Sequence, residues 1–355
     1  MRIAKATRKY ESWLGKQIPL VKSDLDLKHE LMAEDAFSFL RGTFYRWAQV
    51  WKEFCPALAD APEVLAVGDL HVENFGTWRD GEGRLVWGVN DFDEAYPMPY
   101  TNDLIRLSVS ANLAAKQGHL KFSGRNISKV ILDGYVSCLK SGGRPFVLEE
   151  QHSWLREIAL GEQRNPDHFW KKMDAMPAVK EVPKGAKRAL QSLLPDEITD
   201  FRVAHRVAGV GSLGHERFVA VADWEGARIA REAKALAPSA SAQRGSKRIL
   251  YSEIAEGACR AHDPLLRIRG RWLVRRLGPD CSRVELGDIP QRVDEKRLLE
   301  SMGFEAANIH LGSGKAMRAV RKDLASRRDG WLHEATKIMM DSVVADYEDW
   351  CKAHK

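Results

Sequence analysis

The chain has 355 residues, of which 44% are hydrophobic and 29% are charged, and its formal net charge is +6. This composition is typical of a globular protein and excludes a disordered chain, and no apolar run is long enough to cross a bilayer. The length favours two lobes or domains over a single core.

Cysteine usage and the N-terminal residues bear on the compartment. The five cysteines are scattered and never in C-x-x-C spacing, which argues against a disulfide framework and a zinc site. The basic N-terminus has no apolar core or cleavage site, so we expect a cytoplasmic protein. The positive charge suits an anionic ligand such as a nucleotide. No nucleic-acid-binding module accompanies it, so we do not expect nucleic acid as a partner.

Hydrophobic spacing predicts the elements in chain order. Apolar side chains at intervals of three and four predict helices, and period two predicts strands. The predicted helices cover residues 33–54, 101–116, 127–139, 148–160, 186–194, 247–261, 295–302, 306–324 and a final amphipathic stretch from 332 to 350. The predicted strands cover 64–67, a hairpin over 77–86, then 201–207, 218–221, 227–233 and 271–277. Prolines predict a turn at 97–99 and a connector over 165–187.

Residues 67–93 contain the motif that indicates a chemistry. Asp69 and Asn74 stand five positions apart before the predicted hairpin, and Asp91 and Asp93 follow its second strand. A D-x-x-x-x-N loop followed by a strand-borne Asp is the arrangement of kinases. Mg²⁺ takes few protein oxygens and keeps water and phosphate in the rest of its shell, so two short side chains are enough. The segment therefore predicts a Mg²⁺-dependent phosphoryl-transfer site.

Two other interpretations of this segment stay open. Asp, Asn and Gly are also the ordinary residues of turns. Residues 68–71 also resemble the start of a binuclear metallophosphoesterase site, in which Asp and His ligate the first metal. Such a site needs further His-bearing loops of the G-N-H type, and the sequence has none. The apolar segments that lead into both acidic clusters favour the phosphotransferase interpretation.

A glycine-rich segment lies among the predicted strands. Gly209, Gly211 and Gly214 form a G-x-G-x-x-G pattern that includes Ser212. In a dinucleotide-binding fold, these glycines would open a helix after a buried strand. Here they lie between two strands of a predicted hairpin, which is how a kinase glycine-rich loop covers the phosphates of ATP. A glycine-rich turn without a ligand is the alternative.

Five segments together resemble the DUF2252 family of uncharacterised bacterial proteins, which is similar at a distance to protein kinases and aminoglycoside phosphotransferases. The segments are FLRG at 39–42, GDLHVENFG at 68–76, NDFDE at 90–94, DLIRLS at 103–108 and GVGSLG at 209–214. The resemblance is close over residues 33–115 and looser over residues 201–280.

The resemblance implies an α+β, protein-kinase-like fold with two lobes, the large one mostly helical and the small one an antiparallel β lobe. The catalytic loop precedes the glycine-rich loop, the reverse of the kinase order, and a circular permutation would explain this. We expect residues 1–195 to form the helical large lobe with the catalytic and metal-binding loops. Residues 196–280 would form the nucleotide-binding lobe, and residues 281–355 would complete the large lobe.

The resemblance also implies roles for the residues of the catalytic segment. Asp69 would orient and deprotonate an acceptor hydroxyl. His71 would contribute an orienting hydrogen bond, and Asp103 would brace the catalytic loop. Asn74 and Asp91 would bind Mg²⁺, and Asp93 would assist them or hydrogen-bond loop amides.

In the strand region, the amides of residues 209–214 would cover the phosphates of ATP. The position that corresponds to the kinase lysine holds Arg231, which would contact phosphate and be positioned by Glu253. Arg keeps the charge but is not equivalent to Lys in a fixed pocket. Lys234 would replace it only if a bulge turned the strand, because residues 231 and 234 face opposite sides. Residues 274–277 would line the adenine.

The sequence thus predicts an ATP- and Mg²⁺-dependent phosphotransferase for a hydroxyl-bearing acceptor that it does not identify, with loops between residues 140 and 190 near the acceptor. Three alternatives remain. Arg231 favours a catalytically weak nucleotide-binding or regulatory module. The same contacts would serve nucleotidyl transfer from a flipped nucleotide. Charge alone suggests a nucleic-acid-associated protein.

Overall fold

The chain folds into helices and short antiparallel strands. A computed structural model describes residues 1–122, 124–149, 151–160, 165–281, 283 and 294–354. The helices are α1 (Ile3–Leu14), α2 (Lys22–Glu34), α3 (Ala36–Gly42), α4 (Phe44–Phe54), α5 (Pro56–Ala59), α6 (Thr101–Lys116), α7 (Arg125–Ser141), α8 (Ser153–Ala159), α9 (Pro166–Ala175), α10 (Lys184–Gln191), α11 (Tyr251–Gly257), α12 (Glu295–His310), α13 (Met317–Ser326) and α14 (Trp331–Ala353). The strands are β1 (Glu63–Ala66), β2 (Phe75–Arg79), β3 (Leu85–Val89), β4 (Tyr96–Pro99), β5 (Phe146–Val147), β6 (Arg202–His205), β7 (Arg217–Trp224), β8 (Ala227–Ala235), β9 (Arg267–Arg269) and β10 (Trp272–Leu277).

The largest sheet is antiparallel and has five strands in the order β6-β7-β8-β10-β9. Its middle strand, β8, pairs in regular register with β7 and with β10. Ala233 and Ala235 of β8 pack with Trp272 and the apolar side of α10. Because side chains alternate between the faces of a strand, Glu232 and Lys234 project from the opposite face.

Two small sheets position the acidic segments. β1 pairs with β4, and β2 and β3 form a hairpin that β5 extends. The predicted hairpin is therefore confirmed. Asp69 follows the end of β1 and Asp91 follows the end of β3, so the short strands deliver both acidic segments to one region.

The helical part is built around α6. Every residue of α6 from Thr101 to Ala114 is buried, and α14 packs along it. α7 and α12 pack against each other at two glycines. A Cβ at Gly134 would lie 1.9 Å from the carbonyl oxygen of Glu300, and one at Gly303 would lie 2.0 Å from that of Ile131. The absent side chains allow the two helices to touch backbone to backbone.

The predicted α+β class is confirmed, and several boundaries are corrected. The predicted helix over 33–54 is interrupted at Thr43, whose backbone lies outside the helical region. The turn predicted at Pro97 and Pro99 is a strand, because prolines suit a short edge strand such as β4. The connector predicted over residues 165–187 contains α9. The sequence did not predict α1, α2 or β9.

No helix in the described ranges is both long enough and apolar enough to span a membrane.

The glycine contact between α7 and α12 predicts the sign of one substitution. A Gly134→Ala change would stabilise an isolated helix by about 1 kcal/mol. Here we expect it to lower the free energy of unfolding by about 1–3 kcal/mol, because the new Cβ overlaps the backbone of α12. Urea denaturation measures the effect.

The matched control is Gly81→Ala, whose Cβ would have no heavy atom within 4 Å. Stabilisation by Gly134→Ala would contradict the helix contact.

Candidate active site

A cleft of about 490 Å³ brings together most of the predicted site residues. Its walls come from the loops after β1 and β3, the glycine-rich segment, α9 and the face of the large sheet that carries Lys234. A volume of this size suits a small-molecule ligand. The predicted residues that line it are Asp69, His71, Asn74, Asp91, Asp93, Gly209, Gly211 and Ser212.

Asp103 fixes the loop that carries Asp69. It is fully buried in the first turn of α6, and its carboxylate accepts hydrogen bonds from the amides of Val67 at 2.7 Å and Gly68 at 3.0 Å. His310 Nε2 lies 3.0 Å from the same carboxylate. Gly68 has φ of +81°, and a Cβ there would lie 2.4 Å from the carbonyl oxygen of Glu94, so the loop requires glycine at this position. Asp103 therefore holds the backbone just before Asp69 through these hydrogen bonds, and it does not line the cleft.

Asp69 is held by a buried arginine of the same helix. Arg106 is fully buried and donates from Nε to Asp69 Oδ1 at 2.8 Å. Its Nη2 also donates to the carbonyl oxygen of Leu40 at 2.8 Å. Burial raises the pKa of Asp69 to about 6, although Arg106 opposes this shift. A carboxylate with this pKa is mostly ionised at neutral pH and can still accept a proton.

Asn74 connects the two acidic loops. Its side-chain amide donates to the backbone oxygen of Asp69 at 2.7 Å, and its backbone carbonyl oxygen accepts from the backbone amide of Asn90 at 3.0 Å. These bonds fix Asn74 between the Asp69 loop and the segment that continues into Asp91.

His71 is buried in the same loop, and burial together with Arg41 and Arg106 lowers its pKa well below the ordinary value. It is therefore neutral at pH 7. Its Nδ1 has no hydrogen-bond partner among the described residues.

Lys234 lies between Asp91 and Asp93. Its ammonium is 3.1 Å from Asp91 Oδ2 and also contacts Asp93 Oδ2, and the side chain is only 1% exposed. Burial raises the pKa of Asp91, but the charges of Lys234 and Arg275 outweigh it and hold the pKa low. Burial and the charge of Asp91 raise the pKa of Asp93 to about 7. The three groups form one coupled cluster that links the sheet to the loop after β3.

The expected position of Arg231 is corrected by the register of β8. Arg231 lies on the face that packs toward α10, and it donates to the carbonyl oxygens of Leu193 at 3.0 Å and Ala230 at 2.9 Å. It does not line the cleft. Lys234 is on the cleft side of the sheet without a bulge, because β8 pairs regularly on both sides. It does not line the cleft itself but contacts Asp91 and Asp93, which do.

The expected roles of Glu253 and of residues 274–277 also change. Glu253 pairs with Arg248 at 2.7 Å on the exposed side of α11, whereas Arg231 donates to backbone carbonyl oxygens, so Glu253 does not orient it. Val274 is buried on the α10 side of the sheet, whereas Arg275 and Leu277 line the cleft. Only Arg275 and Leu277 of this segment are therefore available to a ligand in the cleft.

The glycine-rich segment folds over Asp69. Residues Val210–Ser212 form a short 3-10 turn between β6 and β7. A Cβ at Gly211 would lie 3.0 Å from the carbonyl oxygen of Arg41 and 3.4 Å from Asp69 Oδ2. The backbone therefore approaches the carboxylate closely. Buried Lys28 of α2 donates to the Gly211 carbonyl oxygen at 2.9 Å and ties the segment to the helical part. Gly214, with φ of +96°, packs against Leu25 outside the cleft.

Glu232 forms ion pairs with three arginines on the sheet side of the cleft. It is fully buried, and Arg206, Arg217 and Arg275 surround its carboxylate. Burial raises the pKa of Glu232, but the three arginines outweigh it and hold the pKa well below its ordinary value. Three cations around one anion leave a positive excess that suits an anionic ligand.

Oxygen donors in the cleft are compatible with a hard cation. Within the described part of the chain, no group of three or more His, Cys, Asp or Glu side chains could hold a metal ion. Mg²⁺ does not require such a group, because one or two carboxylates with water and phosphate complete its shell. Asp93 Oδ1 is buried and has no hydrogen-bond partner among the described residues. Asn74, Asp91 and Asp93 line the same cleft, so they are the residues whose oxygens could serve Mg²⁺ beside water and phosphate.

Part of the chain matches the model of one known family. Residues 20–165 match the model of a family described as "Uncharacterized protein conserved in bacteria (DUF2252)". The predicted resemblance to DUF2252 is confirmed over this range. The matched range includes Asp69, Asn74 and Asp91 and ends before the glycine-rich segment and Lys234. No curated protein and no solved structure matches the chain.

Sequence reasoning missed several residues that line or support the cleft, inside and outside the DUF2252 match. Lys28 of α2 and Arg106 of α6 lie within the match. Their burial is a tertiary property that spacing alone does not reveal. Lys234 had a readable signal, since strict period two along β8 puts it on the face opposite Ala233 and Ala235.

The brace at Asp103 predicts a loss of stability that does not depend on any activity. Asp103→Asn replaces an acceptor-only carboxylate with a group that turns an N–H toward the loop amides. We expect the free energy of unfolding to fall by roughly 2–3 kcal/mol, since hydrogen bonds to buried charged groups are lost. Chemical denaturation measures it. The same change at Asp133, whose ion pair with Lys129 is exposed, should cost little. Equal effects at the two positions would contradict the brace.

Proposed function

We propose that the protein is an ATP- and Mg²⁺-dependent phosphotransferase that acts on a hydroxyl-bearing acceptor. The proposal rests on the cluster in which Lys234 of the sheet contacts Asp91 and Asp93 of the loop after β3. Asp91 and Asp93 of this cluster line one cleft with Asp69, Asn74 and the glycine-rich segment.

Kinases use this combination of groups. They hold the phosphates of ATP under a glycine-rich loop and with a lysine on the third strand, and an Asp and an Asn bind the metal ions. Here the glycine-rich segment precedes β7, and Lys234 lies on β8, the third strand of the large sheet in chain order. α11 follows that strand, as a helix does in kinases.

The chain order supports a circularly permuted, two-lobed kinase-like arrangement. The helical part with α6 carries the catalytic and metal-binding loops, and the five-stranded sheet carries the phosphate-binding groups. In the proposal, the sheet is the small lobe and α12 to α14 complete the large lobe. The parts of a site must be adjacent in space, and the order in which the chain supplies them is free.

Each residue of the cleft has a defined task in the proposed reaction. Asp69, held on one oxygen by Arg106, orients the acceptor hydroxyl and takes its proton. Asn74, Asp91 and Asp93 hold Mg²⁺, which neutralises phosphate charge when it is bound. Lys234 donates to phosphate oxygens. The arginines around Glu232 add positive charge on the same side.

A catalytically weak nucleotide-binding module is the second candidate. At the sequence level, Arg231 in the lysine position favoured it. Lys234, on the cleft side of the sheet and in contact with Asp91 and Asp93, removes that reason, so the transferase is the function that we propose. Nucleotidyl transfer would use the same contacts with the nucleotide reversed. ATP labelled at the γ-phosphate or the α-phosphate distinguishes the two transfers, and we expect label transfer or hydrolysis from the γ position.

Two positions on one strand test the phosphate contact. Lys234→Met should weaken binding of Mg²⁺-ATP by about ten- to a hundredfold, because a charge-assisted hydrogen bond to phosphate is lost. Arg231→Met, on the opposite face of β8, should leave the affinity within about twofold of the original. Isothermal titration calorimetry measures both affinities, and thermal melting confirms that both variants fold.

An affinity loss in Arg231→Met with none in Lys234→Met would overturn the assignment. Equal binding by both variants and the parent chain would place the nucleotide elsewhere.

Asp69 provides the test of turnover. Asp69→Asn keeps an oxygen acceptor for Arg106 but removes the base, so turnover should fall by about a hundredfold or more while nucleotide affinity stays unchanged. The base must be ionised, and burial raises the pKa of Asp69 to about 6. Turnover in the parent chain should therefore rise with pH through about 6 and level off above it.

Arg106→Gln supplies the control for this assignment. Arg106 lowers the pKa of Asp69, so its removal should move the rise in turnover to higher pH. Full turnover in Asp69→Asn would eliminate Asp69 as the base and leave the nucleotide-binding result untouched.

A further inference from the structure

A second cavity of about 440 Å³ adjoins the cleft. It shares Asn90 and Arg275 with the cleft and is otherwise lined by different elements. Trp78 of β2, Phe92, α11 and the two strands β9 and β10 form its walls. A cavity of this size exceeds the needs of a bare ion and suits a small organic ligand.

The charge of the lining is strongly positive. Five arginines face two carboxylates, and the residues are Arg260, Arg267, Arg269, Arg275, Arg276, Glu256 and Asp263. Arg275 is already paired with Glu232 at 2.9 Å, and Arg276 reaches Asp263 only at 3.8 Å. Arg267 and Arg269 make no ion pair within the described ranges. The cavity therefore holds cations that its own carboxylates do not neutralise.

Arg260 is the central cation of this cavity. Its guanidinium lies over the rings of Trp78, at 4.2 Å from the centroid, and Phe92, at 5.1 Å. Its Nη1 is buried and has no hydrogen-bond partner among the described residues, and the same holds for Nε of Arg276. Leaving buried charged donors unpaired is costly, so these two atoms indicate a missing acceptor.

The aromatic walls complement these donors. The ring of Tyr251 meets that of Phe92 edge to face, at 5.5 Å between centroids, and Ala255 and Leu266 add apolar surface. A ligand with an anionic group for the arginines and a small apolar body for this surface would satisfy both parts. Arginine donors in a planar fork match phosphate oxygens.

We propose that the second cavity binds a small phosphate monoester, with Arg260 and Arg276 as its principal phosphate ligands. The site is separate from the nucleotide cleft, and neither arginine lines the cleft. Its occupant contacts Phe92, the residue between Asp91 and Asp93, and so lies directly behind the proposed metal-binding loop.

Phenyl phosphate and inorganic phosphate are the probes that test this proposal. Calorimetry on the full chain in a chloride buffer of low ionic strength should detect binding of both, with phenyl phosphate the tighter because its ring reaches the aromatic wall. Arg260→Gln and Arg276→Gln should each weaken phenyl phosphate binding by about tenfold or more. The control is Arg248→Gln. Arg248 is exposed, pairs with Glu253 and does not line the second cavity, so this change should leave phenyl phosphate binding unchanged.

Lys234→Met distinguishes this site from the cleft. It should leave phenyl phosphate binding unchanged, since Lys234 does not line the second cavity. Loss of binding in Lys234→Met, with none in both arginine variants, would assign the probe to the cleft and overturn the proposal. So would an absence of binding to the parent chain at millimolar concentrations.

Thermal melting of each variant without ligand establishes whether it is folded. If one of the two arginine variants does not fold, the other still tests the proposal. Because the probes carry no nucleotide, failure of the proposed phosphotransferase activity would leave this result standing.

Discussion

The contact of Lys234 with Asp91 and Asp93 is the interaction on which the proposed site depends. It joins the five-stranded sheet to the loop after β3. Arg275 of the same sheet adds a hydrogen bond to the Asn90 carbonyl oxygen. A buried ammonium needs close anionic partners, and the two carboxylates that share it repel each other when both are ionised. The cluster keeps one negative charge in excess, which either the raised pKa of Asp93 or a bound cation can offset. The position of the sheet relative to the loop is therefore set by charge as well as by packing.

The catalytic side of the cleft depends on α6. Asp103 and Arg106 stand within one turn of this fully buried helix, and they fix the backbone and the carboxylate of the Asp69 loop, respectively. Asn74 hydrogen-bonds the backbone of both Asp69 and Asn90, so it links the Asp69 loop to the segment before Asp91. A site supported by a rigid buried helix holds its groups in place before any ligand arrives, which is what transfer chemistry requires. The glycine-rich segment is held by Lys28 at the Gly211 carbonyl oxygen and by Arg217 at the Ser212 hydroxyl.

Local patterns in the sequence were sufficient for much of this arrangement. Residue patterns predicted α6, the β2–β3 hairpin and the long final helix. They also assigned Asp69, Asn74 and Asp91 to one site, and these three residues line one cleft. What the sequence could not supply was the partner of each buried charge. Lys28, Arg106 and Glu232 look like ordinary charged positions until the fold buries them.

The error at Arg231 has a different origin. Counting residues from the glycine-rich segment selected the wrong position, whereas the alternation of β8 fixes the face of every side chain. Pairing with β7 and β10 makes that alternation regular, so Lys234 faces the cleft and Arg231 faces α10. Register depends on cross-strand neighbours, which a single strand read alone does not reveal.

A crystal structure with a non-hydrolysable ATP analogue and Mg²⁺ is the most direct test of the central claim, that these two parts of the chain form one nucleotide site. The account predicts phosphates beneath residues 209–214, a phosphate oxygen within hydrogen-bond distance of Lys234 Nζ, and a metal ion on Asn74 and Asp91. A nucleotide bound outside the cleft, or a triphosphate that Lys234 does not reach, would contradict it.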